Sequence, residues 1–321
     1  VESVLKATYT DGLLVLKQGV IQYEMYDGHL RPGTPHMLYS ISKSIVGAVA
    51  GVLIGEGQLD PQRLVTDYIP ELAVSGYSGA LVQHVLDMRS GIQFRENYLD
   101  PAAEVRHLDQ AVGWVPHVDA WVPHTLYDFL PMLKSYRPHG GVFEYRSCES
   151  DVLGWVCERA AKSIMPELLS QRLWSRLAAD RMDAGIDAAG TMFYDGGLAA
   201  SLRDLARFGE LIRHRGRNGT DQVVPACWFE DALTGTADSR TAFAKSPTRT
   251  GMPGGMYRNQ FWVPYPDRNV LACIGIHGQL LYVDYDHDVT IAKLSSWPTP
   301  ENAALDAATF ALAETIVGAV A

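Results

Sequence analysis

The chain offers few residues for metal or redox chemistry. Its four cysteines, Cys148, Cys157, Cys227 and Cys273, are far apart and lack metal-ligand spacing, so they read as small buried thiols. Ten histidines form no His-x-His or His-Glu-x-x-His pair, so neither a metal nor another cofactor is expected. Asp284-Tyr285-Asp286-His287-Asp288 starts like a calcium loop, but Val289 takes the glycine position and Ser295 the closing acid; a polar hairpin turn is expected. Lys and Arg never cluster and the net charge is -10, which argues against a nucleic-acid partner. The longest apolar run, 45–55, is too short to span a bilayer. The apolar stretch 303–321 is broken by Asp306 and Glu314 and reads as a packed helix, so no membrane span is expected. No Gly-x-Ser-x-Gly elbow, internal repeat or low-complexity tract occurs. No secretory signal segment is visible, which tilts the expectation toward the cytoplasm, although a chain starting at Val1 leaves the compartment open. Oligomeric state is not legible.

What the chain does have is core material: 47% of its 321 residues are apolar and 20% charged. Strand-like runs at 13–16 and 20–26 flank Lys17-Gln18-Gly19, a hairpin signature. From Asp60 to about Gly235 the pattern is mainly helical, and strand runs return at 261–265, 270–276, 280–284 and 289–294. Strands at both ends with helices between imply one antiparallel sheet built from both ends. The expected fold is α+β in three layers (α/β/α), with residues 1–59 and 236–321 forming the sheet domain and 60–235 an inserted, mainly helical domain.

Ser40-Ile41-Ser42-Lys43 opens the most apolar segment. On a helix, Ser40 and Lys43 share one face of the first turn. Burial and the helix N-terminus both disfavour the ammonium, so a free Lys43 amine able to take the Ser40 proton is expected. The competing reading is a Ser40 N-cap with a solvated Lys43. Ser3-Val4-Leu5-Lys6 has the same spacing, so the four letters alone are weak. Tyr145, in Phe143-Glu144-Tyr145-Arg146-Ser147, stands at the mouth of a helix expected from Asp151 onward. Beside Lys43 its phenol would shift toward phenolate, which takes roughly 4 kcal/mol from an ordinary pKa of about 10 to neutrality. Tyr257-Arg258-Asn259 is a lower-ranked competitor for this role. In His277-Gly278-Gln279, Gly278 would let substrate approach a strand closely, and the Gln279 N–H with that of Ser40 would form an oxyanion hole.

The order Ser-x-x-Lys, Tyr-x-Ser, His-Gly-Gln resembles the serine β-lactamase fold superfamily, in its class C β-lactamase and esterase branch. Residues 84–92 and the long match 196–209, from Gly196-Gly197 to Phe208-Gly209, extend the resemblance over nearly the whole chain. Segments 87–92, 143–147 and 294–298 are most similar to the 6-aminohexanoate-dimer hydrolase group, whose members cleave esters and short linear amides. The resemblance implies a β-lactamase/transpeptidase-like fold and an acyl-enzyme on Ser40. Lys43 and Tyr145 would share the proton transfers, which of them acts as base being open. It places Tyr98 and Asp109 in a loop closing over a small-molecule ester or amide, Asp109 facing a substrate ammonium, with Ser147, His277 and Gly278 also at the substrate. Asparagine is usual where Ser147 stands, and Lys-Thr/Ser-Gly where His277-Gly278 stands, which favours esterase or amidase activity over β-lactam turnover. The alternatives are a true β-lactamase or D-Ala-D-Ala peptidase, and a non-catalytic receptor on the same scaffold.

Overall fold

The computed structural model describes residues 2–247 and 251–321. Helix α1 (Glu2–Ala7) leads into strands β1 (Thr10–Lys17) and β2 (Val20–Tyr26). The turn between them puts Gln18 and Gly19 at φ 52° and 79°, the left-handed pair that suits the twist of a two-residue hairpin. The apolar segment forms helix α2 (Ile41–Gly55), buried along nearly its whole length. Helix α3 (Ser147–Ala161) follows the Tyr-x-Ser motif, and α4 (Leu202–Arg213) follows the Gly196-Gly197 pair. Strands β3 (Met256–Arg258), β4 (Phe261–Val263), β5 (Val270–Gly275), β6 (Gln279–Asp284) and β7 (Val289–Ser295) precede helix α5 (Ala303–Val320). Together the seven strands make an antiparallel sheet in the order β2-β1-β7-β6-β5-β4-β3.

The two chain ends meet because β1 pairs with β7, Val15 opposite Ile291. Both faces of the sheet are covered over its central strands, so β1, β5, β6 and β7 are buried at consecutive positions, whereas the edge strand β2 is largely exposed. Leu13 and Val15 face α1 and α5 with Leu312, Ile316 and Val317, while Leu14 and Leu16 belong to the larger core on the other face. Burying one such side chain contributes roughly 1.5–3 kcal/mol. Helix α5 is long and apolar enough to cross a membrane. Here Glu314, in its middle, accepts hydrogen bonds from Tyr265, Tyr282 (2.8 Å) and Arg268, tying it to the sheet.

Helix α4 falls inside the span expected to be a helical insert, yet it lies on the sheet. A Cβ on its Gly209 would sit 2.5 Å from Thr290 of β7, and Arg213 pairs with Asp288. Strand β3 was not legible as a strand. Its hairpin to β4 turns through Asn259 and Gln260, both at positive φ, and Ser44 of α2 donates to the Gln260 carbonyl at 2.7 Å. The 284–288 segment is the β6–β7 hairpin turn. Asp284 is engaged by Arg268 at 2.8 Å, and Asp286 by Asn269.

Candidate active site

Ser40 lies just ahead of α2, after Tyr39, whose φ of 47° is unusual for a non-glycine residue and marks a tight entry. The Ser40 hydroxyl does not cap the helix. Lys43 is 1% exposed, and its Nζ donates to Ser40 Oγ at 2.9 Å and to the Asp195 carbonyl at 2.7 Å. The N-cap alternative therefore does not describe this pair. By contrast, Ser3 and Lys6 are both exposed on α1. Gly275 brings Ser40 over the end of β5: a Cβ there would meet the Leu38 carbonyl at 2.5 Å.

The half-buried Tyr145 sits beside Lys43. Its ring centroid is 5.3 Å from Lys43 Nζ and stacks on Trp262 at 5.2 Å. The competitor Tyr257 is buried on β3 with its hydroxyl on Gln260. Its neighbour Arg258 is locked between Asp87 and Asp231.

The charge states differ from the sequence expectation. Burial does pull Lys43 toward the free amine, but Tyr145, Asp195, Glu96 and Asp151 outweigh it and hold the ammonium above its ordinary range. For Tyr145, burial raises the phenol, and Glu96 and Asp195 oppose the pull of Lys43, so the net shift is upward rather than toward phenolate. Both shifts run opposite to the sequence expectation, the lysine toward its ammonium and the tyrosine toward its neutral phenol.

Glu96, Asp151 and Asp195 were missed in the sequence. Glu96 accepts from the Ser147 N–H at 2.9 Å, from the Ser147 hydroxyl and from Tyr98 Oη at 2.6 Å. Ser147 therefore faces Glu96. A readable signal existed for Asp151, which is four residues beyond Ser147 on one helix face.

Tyr98, Asp109, Trp114, Phe193, Asp195 and His277 line a cleft over Ser40, together with Tyr39 and Ile276. Asp109 is pushed up to about 7 by burial and the nearby Asp195 charge, against the pull of Arg106, which pairs with it at 2.6 Å. The His277 ring is held by its Nδ1 contact with the Trp297 carbonyl at 2.7 Å.

Two expectations for the His-Gly-Gln turn need correction. The space beside Gly278 (φ 87°) is occupied by Trp297, whose Nε1 would be 2.2 Å from an added Cβ, so this glycine admits an indole rather than a substrate. Gln279 turns into the sheet. Its side-chain amide donates to the carbonyls of Ser295 at 2.7 Å and His277 at 3.1 Å, bracing the turn from behind. Ile276, not Gln279, lines the cleft with Ser40, and neither the Ile276 nor the Ser40 N–H donates to another backbone group among the described residues.

Residues 5–315 match the family described as Beta-lactamase. The chain belongs to the beta-lactamase family. Within it, the chain is 41% identical to the 6-aminohexanoate-dimer hydrolase of Paenarthrobacter ureafaciens over 304 residues, 94% of this chain and 76% of that one. A solved Bacillus anthracis structure assigned as a 6-aminohexanoate-dimer hydrolase superposes with a TM-score of 0.90 at 25% identity. That match covers 99% of this chain and 81% of the other. A family VIII carboxylesterase shares the fold alone, with a TM-score of 0.72 at 15% identity over 98% and 96% of the two chains. This beta-lactamase-family protein is a serine hydrolase.

Proposed function

We propose that the protein cleaves esters and short linear amides of small molecules, including amides of the 6-aminohexanoate-dimer kind, through an acyl-enzyme on Ser40. The observation that carries this reading is Lys43 Nζ at 2.9 Å from Ser40 Oγ, which lines a cleft, with the Tyr145 ring 5.3 Å from the same Nζ. Ser40 attacks the carbonyl carbon. Lys43 and Tyr145 move its proton to the leaving group and later take one from water. The N–H groups of Ser40 and Ile276 receive the oxyanion, Ile276 replacing the Gln279 of the sequence expectation. Tyr98 covers the substrate, and the free side of Asp109 takes an ammonium. His277 and Ser147 shape the cleft and its acid wall, respectively.

Turnover of p-nitrophenyl acetate and fluorophosphonate labelling should both vanish in Ser40→Ala. Equal labelling of the two proteins removes the assignment. A non-catalytic receptor would give no acyl adduct by intact mass with any activated ester. A β-lactamase reading is disfavoured because the two cations near Ser40, Lys43 and Arg106, are already paired with Asp195 and Asp109. That leaves, among the described residues lining the cleft, no unpaired Lys or Arg for a β-lactam carboxylate. Nitrocefin hydrolysis faster than ester turnover would reverse that ranking.

A further inference from the structure

Behind Lys43 sit two buried carboxyl groups from distant parts of the chain. Asp151, fully buried on α3, accepts the Asp195 N–H on its Oδ1 at 3.2 Å. Asp195, 5% exposed, approaches Lys43 Nζ with its Oδ2 at 3.4 Å. The remaining oxygen of each, Asp151 Oδ2 and Asp195 Oδ1, is buried and has no hydrogen-bond partner among the described residues. An orphaned buried carboxylate oxygen is costly, and two on neighbouring side chains are better explained by one hydrogen than by two vacancies. Full ionisation of both groups would also place two like charges beside a single ammonium in a water-poor site.

We propose that Asp151 and Asp195 hold one proton between them and act as a positioning pair that carries a single negative charge against Lys43. This rests on the acyl-enzyme reading for its consequence, though not for the pairing itself. The resting ammonium cannot accept the Ser40 proton until it gives one up. Asp195 Oδ2 takes that proton, leaving a neutral pair and a neutral amine, while the Asp195 carbonyl at 2.7 Å keeps Nζ in place. The Ser40 O–H bond then breaks toward Nζ as the Oγ–carbon bond forms. When the intermediate collapses, the proton passes to the leaving group, and the pair hands its extra proton back to Lys43. The other titratable groups facing this centre are Tyr145, Tyr98, Glu96 and Asp109. Burial and mutual repulsion both hold Asp151 protonated far above the ordinary carboxyl range, which agrees with the arrangement.

Carboxyl-labelled aspartate NMR on the wild-type protein reads the pair directly. The Asp151 and Asp195 signals should move together in two linked steps, one proton remaining on the pair at neutral pH, and the linkage should vanish in Asp151→Asn. In ester turnover, Asp195→Asn should lose on the order of 10²-fold in kcat and displace the acidic limb of kcat/KM. The Asp151→Asn/Asp195→Asn double variant should be no slower than Asp195→Asn alone. Independent titration of the two aspartates as ordinary carboxylates overturns the proposal. So does an Asp195→Asn pH profile that superimposes on the wild type with only the melting temperature lowered. Undiminished turnover in Ser40→Ala would strike the nucleophile assignment instead, and the NMR result would stand apart from it.

Discussion

Lys293 on β7 is 1% exposed, and no carboxylate lies within ion-pair distance among the described residues. Its Nζ donates to Ser295 Oγ and, at 3.4 Å, to the Thr8 carbonyl, with the Trp297 ring 6.0 Å away. Burial brings its pKa down to about 7, offset only in part by the more distant Asp11. Between about pH 7 and the unfolded value near 10.5 the unfolded chain holds a proton that the folded one does not. Stability contributed by this site therefore rises with pH across that window and is lost as pH falls back through it. The slope is about 1.4 kcal/mol per pH unit in mid-window, or about 2.5 kcal/mol from pH 7.5 to 9.5. Lys293→Met removes the titration. Its urea-unfolding free energy should be flatter by that amount across the two pH values, with m unchanged, and higher than wild type at pH 7 by about 2–4 kcal/mol after loss of the hydrogen bond to Ser295. Parallel pH dependence in the two proteins would refute the account, because every other titrating group is common to both.

Other outcomes follow from single contacts. Tyr145→Phe should lower kcat for p-nitrophenyl acetate by about 10²–10⁴-fold with little change in KM, since it removes a proton carrier and leaves the aromatic packing on Trp262. Gly278→Ala should cost about 3 kcal/mol or more in thermal unfolding, because the new Cβ collides with Trp297 and φ is 87°. Asp109 ionises as pH rises through about 7, so 1/KM for an amine-bearing amide should rise across that pH in the wild type. In Asp109→Asn the rise should be absent, while a neutral ester is unaffected.

The sheet was legible because apolar runs at both chain ends had nowhere to go but one shared core. The β1–β2 turn and the buried helix after Ser40 carried equally local signals. Strand β3 was hidden: Tyr257, Arg258 and Asn259 look polar, and only the ion pairs to Asp87 and Asp231 make Arg258 affordable in the interior. Helix α4 fell within the span expected as a helical insert because its amphipathic pattern shows that it packs without showing on what. Gly278 was noticed for a sound reason, a missing Cβ, but the neighbour that needs the space is Trp297, nineteen positions on in sequence.

The charge state of Lys43 was the deepest miss, and its cause is general. Local reasoning counted burial and the helix terminus, both favouring the free amine. The opposing groups come from four places: Tyr145 just ahead of α3, the segment before α4 at Asp195, the loop at Glu96, and the second turn of α3 at Asp151. None adjoins Ser40 in sequence, so no spacing rule could sum them. Their presence turns the question of the general base from which residue is free to which group relieves Lys43 of a proton. An added carboxylate ligand would meet Asp109 and Asp195 in the same cleft, whereas an ammonium would be attracted by both. Asp195 is both one of the acids that hold the lysine charged and a lining residue of the cleft, so substrate selectivity and proton transfer should shift together when it is neutralised.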